Sequence, residues 1–146
     1  MYRFKIGDLN VSFPYDAVYP EQFQYMSELK HLLESNGHGI LEMPTGTGKT
    51  VCLLSLILSY IKQFNPNFKL IYCTRTIVEM EKTLDELKFV REQRKKDFQK
   101  DLPNLCSEIF ALCLSSRRNL CIHKDVAVED DRERVDSQCR ARTAFA

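Results

Sequence analysis

Apolar residues recur along this chain with two periods. Leu9, Val11 and Phe13 alternate with polar neighbours, as in a half-buried strand, and Pro14 ends the run. Phe23, Met26, Leu29 and Leu33 then recur at helical spacing, with Pro20 suited to the first helical position and Gly37 closing the helix. Residues 39–43 form a short apolar run that predicts a buried strand. Residues 51–61 form a longer one that predicts a helix buried on most faces, with Cys52 among its core positions. Asn65-Pro66-Asn67 breaks that helix. Leu70-Ile71-Tyr72-Cys73 predicts a second buried strand, of the continuous apolar kind found in parallel sheets.

Thr76-x-x-Glu79 follows as a capping box that opens the next helix. Residues 91–100 are mixed in charge and read as a helix end and solvated loop, punctuated by Pro103. Residues 109–114 predict another buried strand, after which the chain leaves the core. Beyond His123 the composition turns polar, residues 129–134 carry no apolar period, and the segment is expected to be disordered. Strand, helix, strand, helix in that order predicts a right-handed parallel α/β unit. Ligands bind at the carboxyl ends of such strands, where Thr74, Arg75 and Thr76 fall.

The chemistry concentrates between the first strand–helix pair. Met43-Pro44-Thr45-Gly46-Thr47-Gly48-Lys49-Thr50 is a glycine-rich turn with the strand–turn–helix context that a phosphate-binding loop requires. Gly46 and Gly48 let the backbone curl so that its N–H groups converge on phosphate oxygens, and the helix start adds unpaired amides and a positive dipole end. Lys49 is placed to reach outer phosphates and the Thr50 hydroxyl to ligate Mg²⁺. Met43 stands where the strict motif has glycine; the rest of the core is intact. Gln22, in the first turn of the preceding helix, carries an amide able to pair with an adenine edge. Arg75 is a candidate contact to a nucleic-acid phosphate.

Composition changes this picture little. The 146 residues fit one domain, and 44% hydrophobic with 28% charged residues describes a globular chain. A net charge of +1 argues neither for nor against a nucleic-acid partner. The sequence has no 18-residue apolar run and no amino-terminal signal pattern, so no membrane partner is expected. Six cysteines beside a phosphate loop suit a reducing, intracellular compartment. Cys121 and Cys139 are separated by 17 residues without a paired Cys-x-x-Cys. Cys106 and Cys113 would complete a four-thiolate zinc set, but Cys113 lies in a predicted strand, where a small buried residue is the simpler role.

Four segments carry a family resemblance: Tyr19-Pro20-Glu21-Gln22, residues 44–50, residues 70–76 and residues 115–123, the last containing Arg-Arg-Asn-Leu-Cys-Ile-His. In that order they resemble the XPD-type iron–sulfur DNA helicases of superfamily two. The resemblance implies a partial RecA-like domain with a parallel sheet over residues 1–115, and the start of an inserted iron–sulfur domain over 116–146. It implies a 5′-to-3′ DNA helicase acting in nucleotide-excision repair and transcription initiation, in the nucleus, with single-stranded DNA and the other subunits of the factor TFIIH as partners. ATP, Mg²⁺ and a [4Fe–4S] cluster are the implied cofactors.

By the same resemblance Gln22 would contact adenine, and Pro44, Thr45, Gly46, Thr47, Gly48, Lys49 and Thr50 would hold the phosphates and Mg²⁺, with Lys49 and Thr50 catalytic. Thr74, Arg75 and Thr76 would meet the DNA backbone, with Arg117 and Arg118 beside the DNA path. Cys121 and Cys139 would be two of four cluster ligands. The Asp-Glu-Ala-His box, further cluster cysteines, second RecA-like domain and arginine finger of the family do not occur in these residues. With Met1 as a start, an amino-terminal fragment is expected, inactive alone. The competing expectations are a non-catalytic scaffold and a FANCJ-like or DinG-like relative.

Overall fold

A computed structural model describes residues 1–101 and 109–144. The chain forms two compact units, residues 1–109 and residue 110 onward. Unit one opens on an antiparallel hairpin, β1 (Tyr2–Ile6) and β2 (Leu9–Phe13), registered from Tyr2 opposite Phe13 to Ile6 opposite Leu9. Gly7 begins its two-residue turn at φ +59°, a conformation that favours glycine. The alternation of Leu9, Val11 and Phe13 predicts β2. Its partner β1 was legible in the same way, since Tyr2, Phe4 and Ile6 alternate and Gly7-Asp8 supplies the turn.

Helix α1 (Pro20–Ser35) starts at Pro20 as its sequence predicts. It ends at Ser35, two residues before Gly37, because Asn36 itself takes the left-handed cap at φ 50° and donates its N–H to Leu32 O. Its buried face runs through Gln22, Met26 and Lys30, four residues apart, with Leu29 and Leu33 half-buried against the core. Phe23 stays 43% exposed and reaches inward only to stack near Phe4, ring centroids 5.8 Å apart. Lys30 is an ammonium on an otherwise apolar stripe. It bonds Glu34 and, at 2.9 Å, Asp8 in the hairpin turn, so it ties β1–β2 to α1. Those bonds, Glu34 first, raise its pKa above the ordinary lysine value.

Helix α2 (Lys49–Gln63) is the centre of the unit. Val51, Cys52 and every residue from Leu54 to Ser59 are buried, as the apolar run predicts. It packs on β2, α1 and a long third helix, α3 (Ile77–Asp101), around Leu9, Val11, Phe13, Met26, Leu56 and Val90. The expected capping box opens α3: Thr76 Oγ1 accepts from the Glu79 N–H, and Glu79 Oε2 accepts from the Thr76 and Arg75 N–H groups, each at 3.2 Å. The charged stretch from residue 91 is helix to Asp101, not a loop. Tertiary contacts override composition there. Arg94 is buried and donates to Ser59 Oγ at 3.1 Å, and Asp97 pairs with Arg3 at 2.6 Å.

The expected parallel strands at 39–43 and 70–73 carry no ladder; the sheet among the described residues is the antiparallel hairpin. Ile40 is 100% and Ile71 86% exposed, and of the first run only Met43 is buried. An extended backbone becomes a strand when a neighbour takes its hydrogen bonds, and a doubly apolar strand needs cover on both faces.

In unit two, residues 110–115 are likewise unpaired, with Phe110, Leu112 and Leu114 exposed. The segment beyond His123, expected to be disordered, is instead largely helical. Unit two holds α4 (Arg117–Leu120), α5 (Lys124–Ala127) and α6 (Arg132–Thr143), with the Ser116 and Asp131 side chains capping α4 and α6. Its interior is small, Val126 and Val135 being its buried hydrophobic residues among those described. Exposed ion pairs tie its surface together: Arg117 to Asp136 at 3.0 Å and Arg118 to Asp130 at 2.6 Å. Cys106 and Pro103 lie outside the described residues.

Phe13 is fully buried under α2. Phe13→Ala is expected to destabilise unit one by about 3–5 kcal/mol, the usual loss for a buried aromatic ring, read as a lower urea midpoint.

Candidate nucleotide-binding site

The loop leading into α2 takes its shape from two glycines. Gly46 and Gly48 adopt φ of +82° and +83°, where an L side chain is strained. Gly48 is also the residue before the first turn of α2 and offers no capping side chain. The amide groups of that turn therefore lack the partner that Ser or Asp would supply. A Cβ on Gly48 would come within 3.1 Å of Val51 Cγ1 and 3.2 Å of Gln22 Nε2, so the loop rests directly on α1 and α2.

Lys49 folds back across the loop. Its Nζ donates to Met43 O at 2.7 Å and Pro44 O at 3.0 Å, and Thr47 Oγ1 donates to Pro44 O at 2.6 Å. A cation held only by two neutral carbonyls has no compensating charge, which leaves it available to a stronger anionic acceptor. Gln22 is buried, its Nε2 donating to Thr47 O at 2.8 Å and its Oε1 accepting from the Tyr19 N–H at 3.0 Å.

Thr50, in the first turn of α2, faces an open cleft of about 460 Å³ lined also by Tyr72, Cys73, Thr74, Arg75 and Glu79. The structure thus brings Thr74 and Arg75 to the same cleft as Thr50, while Thr76 does not line it. Thr74 Oγ1 donates to Thr76 O at 3.0 Å. Arg75 is exposed, and among the described residues no hydrogen bond or ion pair engages its guanidinium. Lys82 and Glu86 of α3 line the cleft as well; neither stood among the sequence candidates, although both follow Glu79 at helical spacing.

Arg117 and Arg118 lie in unit two, each engaged by a carboxylate. The hydrogen bond to Asp136 raises the Arg117 pKa further. Cys121 and Cys139 are half-buried in the same unit, and the Cys121 thiol lies 3.8 Å from His123 O. Among the described residues no three His, Cys, Asp or Glu side chains converge on a metal-sized site. Two thiolates do not satisfy an iron–sulfur cluster that needs four, so the residues described here do not by themselves fit that group.

Comparison with known proteins identifies the class. A family model described as DEAD_2 matches residues 72–145, and the chain belongs to that family. Relatives of two kinds match nearly the whole chain, at different identities. The chain is 53% identical over 142 residues to the "General transcription and DNA repair factor IIH helicase subunit XPD" of Arabidopsis thaliana, covering 97% of this chain and 18% of that protein. Identity to the subunit of the same name in Schizosaccharomyces pombe is 47% with the same coverage. The "Regulator of telomere elongation helicase 1" of Mus musculus is 27% identical, with 99% of this chain and 14% of that protein covered. The chain therefore spans under a fifth of the length of these relatives.

The thiols at this site report its packing. Cys52 sits one turn into α2, and burial pushes its pKa up to about 12, whereas Cys73 is exposed on the cleft. Only the thiolate attacks alkylating reagents. At pH 8 iodoacetamide is expected to label Cys73 and spare Cys52 in the folded chain, and to label both in urea, as read by peptide mass spectrometry.

Proposed function

We propose that this chain is the nucleotide-binding part of an ATP-dependent 5′-to-3′ DNA helicase of the XPD type, working within TFIIH in nucleotide-excision repair and transcription initiation in the nucleus. The observation that carries the reading is the loop: two glycines at positive φ, a lysine held only by carbonyls, and a buried helix starting at that lysine. The 53% identity to an XPD subunit, against 27% to the telomere regulator, favours the XPD type over other iron–sulfur helicases.

In this reading Gly46, Thr47 and Gly48 present backbone N–H groups to the phosphates of ATP, with Pro44 and Thr45 shaping the turn. Lys49 leaves Met43 O and Pro44 O for the outer phosphates, and Thr50 ligates Mg²⁺. Thr74, Arg75 and Thr76 meet the backbone of single-stranded DNA across the cleft from Thr50, and Arg117 and Arg118, within the inserted domain, lie beside the DNA path. Residues 39–43, 70–73 and 109–114 are strands of a parallel RecA-like sheet whose remaining members belong to the rest of the longer protein. Residues 1–115 are then the first part of that domain and 116–146 the start of the iron–sulfur insertion. Cys121 and Cys139 supply two of its four thiolates, the others coming from the longer chain.

The reading is tested in the intact helicase. Removing a preorganised group that stabilises transition-state charge typically costs roughly 10²–10³-fold in turnover, and Lys49→Ala is expected to lose at least that much ATPase activity. Activity at the wild-type level would exclude the assignment. Arg75→Ala is expected to weaken single-stranded DNA binding equally for all sequences and to shallow the salt dependence by ~0.7 in log–log slope, the share of one phosphate contact. An unchanged slope would remove Arg75 from the DNA path.

A further inference from the structure

Three donors converge on the Leu32 carbonyl where α1 ends. The Asn36 N–H bonds it from the left-handed cap, the Gly37 N–H at 3.3 Å and Ser35 Oγ at 3.2 Å. The Leu32 side chain also closes on Gly39, where an added Cβ would lie 2.2 Å from Leu32 Cδ1. Leu32 is thus the post around which the chain turns from α1 into the run that leads to the loop before α2. The residues at that turn, Asn36, Gly37 and His38, are exposed. Asn36 is the only asparagine of the sequence that precedes glycine; Asn10, Asn65, Asn67, Asn104 and Asn119 precede valine, proline, phenylalanine, leucine and leucine. Asparagine is chemically labile, and a following glycine has no Cβ to shield its nitrogen from the side-chain carbonyl.

We propose that Asn36-Gly37 is a site of spontaneous backbone modification, in which Asn36 becomes aspartate or isoaspartate and the end of α1 is loosened. The Gly37 nitrogen attacks Asn36 Cγ. A bond forms between them, the Cγ–Nδ2 bond breaks, and Nδ2 leaves as ammonia with the proton lost by Gly37. Water then opens the cyclic imide. Cleavage at Cγ gives aspartate; cleavage at the backbone carbonyl gives isoaspartate, whose side-chain methylene lies in the main chain. Attack requires the Gly37 N–H to leave Leu32 O, so the last turn of α1 gates the step. A 3.3 Å bond at a helix end, where turns fray, is a weak gate. Both products place a new carboxylate at the negative end of the α1 dipole, beside Glu34 and with no basic residue in that turn. Isoaspartate also lengthens the path from Leu32 to Gly39, whose close contact leaves no slack.

The test is incubation of the purified chain in warm neutral buffer, followed by peptide mass spectrometry and labelling with an isoaspartyl methyltransferase. Amide loss is expected at Asn36 with the other asparagines intact, and faster in urea, where the Leu32 cap is gone. Gly37→Ala tests the attack itself. Gly37 lies outside the positive-φ region, and the added Cβ meets only Ser35 Oγ at 3.1 Å and Ser35 Cβ at 4.0 Å, a side chain that can turn. This variant is expected to keep its amide. Retention of the amide in the folded chain while a free peptide of residues 33–40 converts would overturn the proposal, as would equal loss in Gly37→Ala. The converted chain is expected to unfold at a lower temperature than the fresh one, a shift absent from Gly37→Ala treated alike. An unchanged midpoint after full conversion would overturn the loosening of α1.

Discussion

Burial of α2 is the constraint on which the rest of unit one depends. Its residues from Leu54 to Ser59 are inaccessible on every face, so no side of the helix is left to water. Such a helix is stable only while something apolar covers each side. Here β2, α1 and α3 do so. The loop inherits this arrangement: it is held between a strand-like run and a helix that cannot rotate without exposing its core. Gly46 and Gly48 then bend the backbone at the amino-terminal end of α2, where the helix emerges from the core.

Polar groups inside this core act as joints. Ser59 Oγ donates to Ser55 O at 2.7 Å and accepts both the Ser12 N–H at 3.3 Å and Arg94 Nη1 at 3.1 Å. One hydroxyl thus links β2, α2 and α3. A buried hydrogen-bonded group of this kind costs more to remove than it contributes, because its partners are left unsatisfied. Gln63 joins the far end of α2 to the hairpin, accepting from the Asn10 N–H at 2.9 Å and donating to Asp8 O at 2.7 Å. The same logic explains Lys30, whose stem lies along the core while its head meets Asp8 and Glu34.

Local signals carried much of this into the sequence. The capping box at Thr76 and Glu79, the buried run of α2 and the glycines of the loop are read from neighbours within a few residues, and each is found as read. Periodicity failed where the answer lay elsewhere in the chain. Residues 39–43 and 70–73 look like buried strands because their side chains are apolar, yet pairing is a property of a second segment. Arg94 looks solvated because its neighbours are charged, yet Ser59, 35 residues away, accepts its hydrogen bond. Beyond His123 composition promised disorder, but Asp131 caps α6 and Val126 and Val135 are buried. The bond from the Gln22 amide to Thr47 O could not be read from sequence at all, since an amide serves a base edge or a carbonyl equally well.

The hairpin has a consequence for how the chain is made. β1 and β2 are its first two elements, yet their cover comes from residues such as Ser59 and Gln63, 47 and 53 positions beyond the residues they hold. A lone two-stranded hairpin is marginal in water. At roughly 5–20 residues per second of synthesis, Leu9, Val11 and Phe13 wait several seconds before α2 exists to cover them. Residues 2–13 are thus born ahead of their cover as an unprotected apolar ribbon, and the order of translation leaves them in need of shelter until the phosphate-loop helix emerges.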